Sequence, residues 1–280
     1  IWCKIPFIPA ESSKFIWMIY GNPNAKSESN GNAVFEMFDV QGIVGFWHMD
    51  EPQWTGATGE VRDETGVNHG TAYGGATTTS DAKYGRAGYF DGEDDYVEVS
   101  DSDSLDITDE ITIEAWIKYT PFSSGEKYFL AKWDYGANKR QYAFGLRNTG
   151  DSVLARFYLS NDGTYHSDYV LEGTTNLNSN QWYYLVATYD GATQKICVNG
   201  EQEPNTKSFS ISIFSSDSNL TVGSLLYNGD PDMLFYGLID EVRIYNRALS
   251  PTEIQILSKN YMQKMGSYFN VRKYVTPAPV

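Results

Sequence analysis

Cysteine and histidine are scarce in this chain of 280 residues, which contains 2 cysteines and 3 histidines. Cys3 and Cys197 are far apart, and Cys197 lies in the strand-like run KICVNG. We therefore interpret Cys197 as a small buried hydrophobic residue rather than a disulfide partner or a nucleophile. His48, His69 and His166 lie in different segments, with no Ser or Cys nucleophile motif beside them. This pattern argues against a hydrolase that relies on such a nucleophile.

Positive charge is also in short supply. The chain has 36 Asp and Glu against 21 Lys and Arg, a net charge of -15 and a pI of about 4.5. Nucleic acids and anionic membrane surfaces need a basic patch on their partner, so this balance argues against both. Lys132, Lys139 and Arg140 form a local exception that could bind an anion, and we interpret them instead as part of a solvated loop.

Long hydrophobic runs and targeting signals are missing as well. No stretch approaches the length of a membrane span, and no signal peptide is visible. Ile1 already lies inside an apolar, strand-like run, IWCKIPFI. We therefore expect the chain to be a fragment of a longer polypeptide whose targeting signal lies elsewhere.

Aromatic residues, by contrast, make up 15% of the chain, with many Gly, Asn, Ser and Thr residues. From about Val40, short strand patterns alternate with turn signals, which is typical of an all-β sandwich or barrel. The Asp190-Gly191 and Asn199-Gly200 pairs predict hairpin turns. The clearest predicted strands are 43–49, 111–119, 129–133, 142–147, 153–159, 182–189, 195–198 and the strand that follows Phe235.

Different patterns flank this region. Residues 1–39 read as short strands and a polar loop, too few to form a core alone. Ser250, Pro251 and Glu253 predict the start of a helix over 250–266, because they supply an N-cap, a proline at the first helical position and a capping-box glutamate. The helix has an apolar stripe expected to pack on the sandwich or on the N-terminal strands. Residues 267–280 read as one more strand and a linker.

The ordered set GFWHMDE, DETGVNHG, YFDGEDDYVEV, ITIEAWIK, WYYLVATYDGATQKICVNG and GLIDEVRIYNRALSPTEI resembles the LamG-like, concanavalin A-type jelly roll. The resemblance runs from about Gly42 to Ile254. It implies a two-sheet antiparallel sandwich with a structural calcium site, used mostly for binding glycans or proteins in secreted and cell-surface molecules. We therefore predict an all-β, two-sheet antiparallel jelly roll over 40–249, with a short flanking β-unit and one C-terminal helix.

The N-terminal segment resembles the end of an uncharacterised β-domain of archaeal and bacterial surface proteins, whose start is missing here. The matching pattern is an aromatic strand, then YGNP, then a polar loop that leads to a VF pair. The residues that match are Tyr20, Gly21, Asn22, Pro23, Val34 and Phe35.

Asp240 is the residue that most needs explanation. It lies in the alternating run FYGLIDEVRIYNRAL, and the alternation places it on one side of a strand with Val242 and Ile244. An ionised carboxylate on an apolar face is costly unless it is paired or bound to a metal. A metal ion is our first hypothesis, and an ion pair with Arg243 or Arg62 is the alternative.

Calcium suits this chain because it takes hard oxygen ligands from irregular loops. In related modules the ligands are a Glu after the first strand, an Asp with a carbonyl three residues later, and an Asp on the final strand. Carried over, the resemblance implies Glu51, Asp63, Gly66 through its carbonyl, and Asp240. Asn68 and Asp50 are further candidates. The alternative for Asp63 is that it caps its own turn.

A second acidic run contains Asp91, Glu93, Asp94 and Asp95. It could be a separate metal site, but we interpret it as a solvated turn whose Asp-Gly pair serves turn geometry.

Aromatic side chains in polar, Gly- or Asp-containing stretches are candidate platforms for a glycan. These candidates are Trp54, Trp133, Tyr135, Tyr165 and Tyr227. Trp116 and Trp182 lie in apolar strand patterns and are predicted to be core residues.

Catalysis is not expected. Jelly-roll glycosidases of the laminarinase type use a Glu-x-Asp-x-x-Glu strand, and the nearest string here, EITIE, has Thr112 at the central carboxylate position. We predict a non-catalytic, calcium-stabilised carbohydrate-binding module of an extracellular or cell-surface protein, whose partner is a glycan or a surface protein. The alternative is a structural or adhesive spacer, and glycoside hydrolysis is a weaker third hypothesis.

Overall fold

The computed structural model describes residues 41–259, and within them the chain forms 17 strands and one short α-helix. The predictions for residues 1–39 and 267–280 lie outside this range. In chain order the strands are β1 Ile43–Trp47, β2 Gly70–Tyr73, β3 Thr77–Thr79, β4 Ala87–Asp91, β5 Tyr96–Val99, β6 Ile111–Tyr119, β7 Gly125–Asp134, β8 Lys139–Asn148, β9 Val153–Gly163, β10 Val170–Glu172, β11 Tyr183–Tyr189, β12 Thr193–Val198, β13 Glu201–Ser208, β14 Leu220–Val222, β15 Leu225–Tyr227, β16 Asp230–Asp232 and β17 Tyr236–Tyr245. The helix α1 is Pro251–Ser258, and short 3-10 turns lie at Asp103–Leu105 and Ser167–Tyr169.

The strands form two sheets, which confirms the predicted sandwich. The eight-stranded sheet has the order β13-β12-β11-β6-β17-β4-β3, with β1 also paired to β17. The nine-stranded sheet has the order β10-β9-β8-β7-β14-β5-β2, with the β15–β16 hairpin added beside β7. Pairing between these strands is antiparallel except for the contact of β15 with β7. The connections β2 to β3 and β4 to β5 therefore both pass from one sheet to the other.

The main core lies between the sheets and is filled by alternate residues of the strands. On β6, Ile113, Ala115 and Ile117 belong to this core, whereas Trp116 points to the opposite face. Large fully buried core side chains include Trp47, Phe90, Phe129, Phe144 and Phe157.

Two smaller apolar clusters cover the outer faces of the sheets. On the eight-stranded sheet, Trp116 and the free Cys197 pack with Ile254 of α1, so the helix stripe lies on the sandwich as predicted. Cys197 is buried, which confirms its interpretation as a small hydrophobic residue, and burial raises the pKa of its thiol to about 11. On the nine-stranded sheet, Leu225 of β15 packs with Tyr158, so the β15–β16 hairpin covers part of that face.

The predicted capping box starts the helix. The Ser250 hydroxyl accepts a hydrogen bond from the Glu253 N–H at 3.3 Å, and the Glu253 carboxylate accepts one from the Ser250 N–H at 2.6 Å. The predicted continuation to residue 266 falls outside the described residues. Among residues 41–259, no helix has both the length and the apolar character that crossing a membrane requires.

Candidate cation site and aromatic platform

Asp240 lies on β17 and is fully buried, but not on the face predicted from alternation. Glu241 has a left-handed φ of 54°, and the pairing of β17 with β6 shifts register between Asp240 and Arg243. An extra residue in a strand reverses the facing of the residues that follow it. Val242 and Ile244 therefore point into the core, whereas Asp240 points outward, and the predicted shared face is wrong.

The surroundings of Asp240 leave one of its oxygens without a partner. Oδ2 accepts hydrogen bonds from the backbone N–H groups of Lys83 and Tyr84 at 3.0 and 2.8 Å. Oδ1 is buried and has no hydrogen-bond partner among residues 41–259. Burial raises the pKa of Asp240 to about 8; the backbone hydrogen bonds oppose this shift, and the charges of Glu241 and Asp50 add to it. The predicted ion pair with Arg243 is not formed, because that guanidinium binds Glu114 and Glu241.

Asp50 approaches the same loop from the end of β1. Its Oδ1 accepts a hydrogen bond from the Arg86 N–H at 2.6 Å. Gly85, with a φ of 50°, lies so close that a Cβ atom there would overlap the Asp50 carboxylate. The Asp50 and Asp240 side chains thus both bind the backbone of residues 83–86, and their oxygens are ligands of the kind that a hard cation takes.

Asp63 has a different role. Its carboxylate accepts hydrogen bonds from the N–H groups of Phe46 (2.8 Å), Thr65 (3.0 Å), Val67 (3.2 Å) and Asn68 (2.8 Å), and from the Thr65 hydroxyl. These donors occupy both oxygens. Asp63 therefore caps its own turn, which was the alternative derived from the sequence.

Gly66 and Asn68 complete this turn. Gly66 has a φ of 82°, and its N–H donates to the Asp63 carbonyl at 2.9 Å. The Asn68 side chain donates to the Val44 carbonyl and accepts from the Ser102 hydroxyl. Both residues thus have local structural functions at the edge of β1.

Glu51 follows Asp50 in the chain, and its carboxylate binds the residue before Asp63. Its carboxylate accepts hydrogen bonds from Trp54 Nε1 at 2.9 Å and from the Arg62 N–H at 2.8 Å. Glu51, Asp63 and Asp240 do not form a set of three carboxylates with ligand atoms within 4.8 Å of one another in the described part of the chain. The six predicted ligands therefore do not meet around one point, and Asp50 and Asp240 remain the pair best placed for an ion.

Two of the five predicted aromatic platforms are buried. Trp54 and Trp133 are only 3% and 4% exposed, so neither can stack on a ligand from solution. Trp54 packs against Phe90 of the core, and Trp133 packs edge-on against Tyr158. Both predictions were wrong, because Trp54 packs into the main core and Trp133 packs with Leu225 of the β15–β16 hairpin, contacts that the polarity of a sequence segment does not reveal.

Tyr135 and Tyr227 lie 92 positions apart in the sequence but meet in the structure, and they form what we call the tyrosine platform. Their ring centroids are 4.6 Å apart with an interplanar angle of 31°. Tyr227 is 48% exposed. The Tyr135 hydroxyl donates a hydrogen bond to Asp232, and this bond, with burial and the Asp232 charge, raises the pKa of Tyr135 to about 12.

A buried carboxylate fixes the two loops that carry this platform. Asp134, 5% exposed, accepts hydrogen bonds from the N–H groups of Asn228 and Gly229, both at 2.8 Å, and from the Ala137 N–H at 3.1 Å. It thereby joins the β7–β8 turn to the β15–β16 turn. Arg140 adds a hydrogen bond to the Tyr135 carbonyl at 2.6 Å. The platform is consequently held in place before any ligand arrives.

Tyr165 is also exposed, at 50%, in the loop after β9. It lies near enough to Arg156 of β9 to influence the pKa of that guanidinium. The structure gives no contact between Tyr165 and the tyrosine platform.

The basic residues do not form an anion site. Lys132 is fully buried against Asp101 and Asp106, and Lys139 pairs with Asp217. The interpretation of Lys132 as part of a solvated loop is wrong, since it lies within β7.

A cleft of about 530 Å³ that was not predicted from the sequence lies on the outer face of the eight-stranded sheet. An ion pair of 2.6 Å between Lys118 and Asp81 spans part of it. In the sequence, the Thr-rich run around Thr78 was the one available signal for this cleft. The residues that line the cleft are Thr77, Thr78, Thr79, Asp81, Tyr89, Lys118, Thr120, Asn180, Gly237 and Leu238.

The string EITIE on β6 has no catalytic geometry. Glu114 is fully buried and bound to Arg243, and the Thr112 hydroxyl donates to the Arg247 carbonyl at 2.8 Å. Neither side chain faces a cleft that a sugar could enter.

Comparison with known proteins identifies the class of this sandwich. Residues 91–255 match the family model described as the Concanavalin A-like lectin/glucanases superfamily, which is more than half of the chain. Residues 1–54 match a domain of unknown function, DUF2341. The chain therefore belongs to the concanavalin A-like lectin and glucanase superfamily, as the sequence motifs indicated. None of the curated proteins matches it in sequence.

Solved structures with the same fold include binding domains and an enzyme. Domain 4 of AbnA, an extracellular GH43 arabinanase from Geobacillus stearothermophilus, in complex with arabinotriose, matches with a TM-score of 0.57, 20% identity, and coverage of 77% of this chain and 98% of that one. The ligand-binding domain of botulinum neurotoxin serotype D, in complex with N-acetylneuraminic acid, matches with a TM-score of 0.55 and 13% identity, and the match covers 77% of this chain and 52% of that one. A mutant of Trypanosoma rangeli sialidase displaying trans-sialidase activity matches with a TM-score of 0.55 and 15% identity, and the match covers 80% of this chain and 33% of that one. The chain thus spans about half of the toxin domain and a third of the sialidase, and these likenesses establish the fold alone.

Proposed function

We propose that this chain is a non-catalytic carbohydrate-binding module, stabilised by calcium, of a secreted or cell-surface protein. The observation that carries the proposal is the tyrosine platform. Tyr135 and Tyr227 present an exposed aromatic surface beside Asp232, and Asp134 fixes both supporting loops. Aromatic rings accept the C–H face of a sugar, and neighbouring polar groups hydrogen-bond its hydroxyls.

Two further findings support this proposal. Structural neighbours in the same fold were solved with arabinotriose and with N-acetylneuraminic acid. In the string that most resembles a glycosidase motif, Glu114 is fully buried and bound to Arg243 rather than open to substrate. A binding function explains an exposed aromatic pair without facing catalytic carboxylates, whereas hydrolysis would need such carboxylates in a cleft.

Tyr227→Ala is expected to weaken glycan binding at least about tenfold, a loss of about 1.4 kcal/mol, because it removes the exposed half of the platform. A glycan array screened with calcium and with chelator identifies the ligand, and calorimetry then compares the variants. Tyr236→Ala is the matched control, because Tyr236 is 37% exposed on the other sheet. Unchanged binding by Tyr227→Ala to a ligand of the wild type would refute the platform. Silence on every glycan would favour the spacer function.

Calcium fits the position between Asp50 and Asp240, because the orphaned Asp240 Oδ1 is a buried oxygen that lacks a partner. When bound, the ion would supply positive charge beside the buried Asp240 and the exposed Asp50 and would join β17 to the loop at residues 83–86. A ligand that binds only the folded state stabilises it by about 2.7 kcal/mol at about 100 times its Kd. We therefore expect chelation to lower the melting temperature.

Asp240→Asn is expected to reduce this calcium-dependent gain while leaving the chelated protein at least as stable as wild type, because a buried charge is removed. Thermal melts with and without chelator measure both effects. Asp109→Asn, at an exposed carboxylate, is the control and should behave as wild type. An undiminished calcium response in Asp240→Asn would exclude this position as an ion site.

A further inference from the structure

Two connections between the sheets lie against each other at one edge of the sandwich. One is the turn of residues 74–76 between β2 and β3, and the other is the turn of residues 92–95 between β4 and β5. The contact is tight, because a Cβ atom on Gly74 would overlap the carbonyl oxygen of Asp94. Any group that binds both turns would therefore tie the two sheets together.

Three carboxylates converge at this junction. Asp91, Asp94 and Asp95 each place a carboxylate oxygen within 4.8 Å of the others. None of the three takes part in an ion pair with Lys, Arg or His of the described residues. Like charges at this separation repel one another unless a cation or protons neutralise them.

Asp95 provides independent evidence that a partner belongs here. It is 3% exposed, and its Oδ2 accepts a hydrogen bond from the Asp91 N–H at 2.9 Å. Its Oδ1 is buried, and no group in the described part of the chain hydrogen-bonds to it. Burial, opposed by the Asp91 N–H and strengthened by the charges of Asp91, Asp94 and Glu93, raises the pKa of Asp95. A buried carboxylate oxygen without a partner is rare, because its desolvation is not compensated.

We propose that Asp91, Asp94 and Asp95 form a second divalent-cation site in the connection between β4 and β5, beside the turn between β2 and β3. All the available ligands are carboxylate oxygens in an irregular turn, which suits Ca²⁺ or a similar hard cation. The cation compensates the repulsion among the three charges and supplies the partner that Asp95 Oδ1 lacks. Gly75 lies beside that oxygen, since a Cβ atom there would be 3.4 Å from it.

This site is separate from the one at Asp240. Asp91 of β4 pairs with Tyr236 of β17, and Tyr236 lies four residues before Asp240. Four residues of extended strand span about 13 Å, which is too far for one ion to bind both carboxylates directly. The two sites can therefore be removed independently by substitution.

Asp95→Asn tests the proposal on the full chain, because an amide oxygen can still accept the hydrogen bond from the Asp91 N–H. Calcium titration calorimetry is run on wild type, Asp95→Asn, Asp240→Asn and the double variant. We expect Asp95→Asn to weaken calcium binding at its own site by about tenfold or more, since ligand charge sets affinity. Without calcium, its melting temperature should equal or exceed that of wild type.

Glu93→Gln is the matched control, because it removes a charge from the same turn but from a residue outside the cluster. It should bind calcium as wild type does. Terbium luminescence gives a second readout, since Tyr89 lies within electrostatic reach of Asp91 and Asp95 and can sensitise a bound lanthanide. Should Asp95→Asn fail to fold, Asp94→Asn, at an exposed position, replaces it.

The outcomes separate this proposal from the one at Asp240. Loss of one binding event in Asp95→Asn and of another in Asp240→Asn supports both sites. Calcium and terbium binding unchanged in Asp95→Asn and Asp94→Asn overturns the junction site, whatever Asp240→Asn does. Loss in Asp95→Asn with no change in Asp240→Asn retains the junction site and removes the other.

Discussion

Lys132→Met is expected to lower the free energy of unfolding by about 3 kcal/mol, the lower end of the range for a broken buried ion pair, because Lys132 is fully buried but its partners Asp101 and Asp106 are 33% and 24% exposed. Lys132 is fully buried, and its Nζ lies 2.6 Å from Asp101, 3.0 Å from Asp106 and 2.9 Å from the Ser218 carbonyl. Methionine fills a similar volume but donates no hydrogen bond. Two carboxylates and a carbonyl would thus lose their cation in a region of low dielectric constant.

Lys139→Met is the matched control for this prediction. Lys139 pairs with Asp217 at 3.0 Å, but the two side chains are 42% and 71% exposed. Such a surface pair contributes at most about 1 kcal/mol. Urea unfolding of the two variants compares the same chemical change in buried and exposed settings. Similar losses in both would show that Lys132 does not carry the stability assigned to it.

Arg243→Met is expected to have a comparable effect, about 3–5 kcal/mol, on the outer face of the eight-stranded sheet. Its guanidinium donates to Glu114 at 2.6 Å and to Glu241, and it lies 4.0 Å from the Phe46 ring centroid. Glu114 has no exposed surface. Removing the guanidinium leaves that carboxylate with the Tyr184 hydroxyl as its remaining donor.

The loss of unfolding free energy in Arg243→Met should depend on pH, and its direction follows from the pKa of His48. Burial lowers the pKa of His48, but its 2.6 Å hydrogen bond to Glu241 and the charge of Glu241 more than offset this, so the pKa is raised. A raised pKa stabilises the fold below the unfolded value of about 6.5 and loses that effect as pH rises through the folded value. Below its pKa, His48 is protonated and can compensate the charge of Glu241. Arg243→Met should therefore lower the free energy of unfolding less at about pH 5.5, which lies below the unfolded pKa of His48, than at about pH 8.

Unfolding by urea at both pH values measures this difference. Arg147→Met is the control, because Arg147 is 42% exposed and pairs with Glu172 at 3.2 Å on the surface. A loss for Arg243→Met no larger than that of Arg147→Met would contradict the assignment of a structural ion network at Glu114 and Glu241.

Asp240 could be predicted in part from the sequence. Asp240 in an apolar strand indicated correctly that a buried carboxylate needs partners, and the structure shows two backbone donors and one oxygen without any. Its facing was wrong because alternation assumes an uninterrupted strand. The bulge depends on a left-handed Glu241, a residue type that carries no turn signal.

The aromatic residues proposed as glycan platforms were also only partly predictable from the sequence. Trp133 and Tyr135 are two positions apart in similar sequence contexts, yet one is 4% exposed and the other lies in the tyrosine platform. Tyr227 completes the platform because the β15–β16 hairpin folds beside β7. The sequence identifies the aromatic residues that lie in polar segments, but it does not show which of them the β15–β16 hairpin covers.

Strand periodicity, turn pairs and the capping box determined the all-β sandwich and the start of its helix, because those signals depend on neighbours within a few residues. The partners of Asp240, Lys132 and Arg243 were decided by tertiary structure. Each binds groups brought from other turns or strands, and the free energy of a buried charge depends on those groups rather than on its neighbours in sequence.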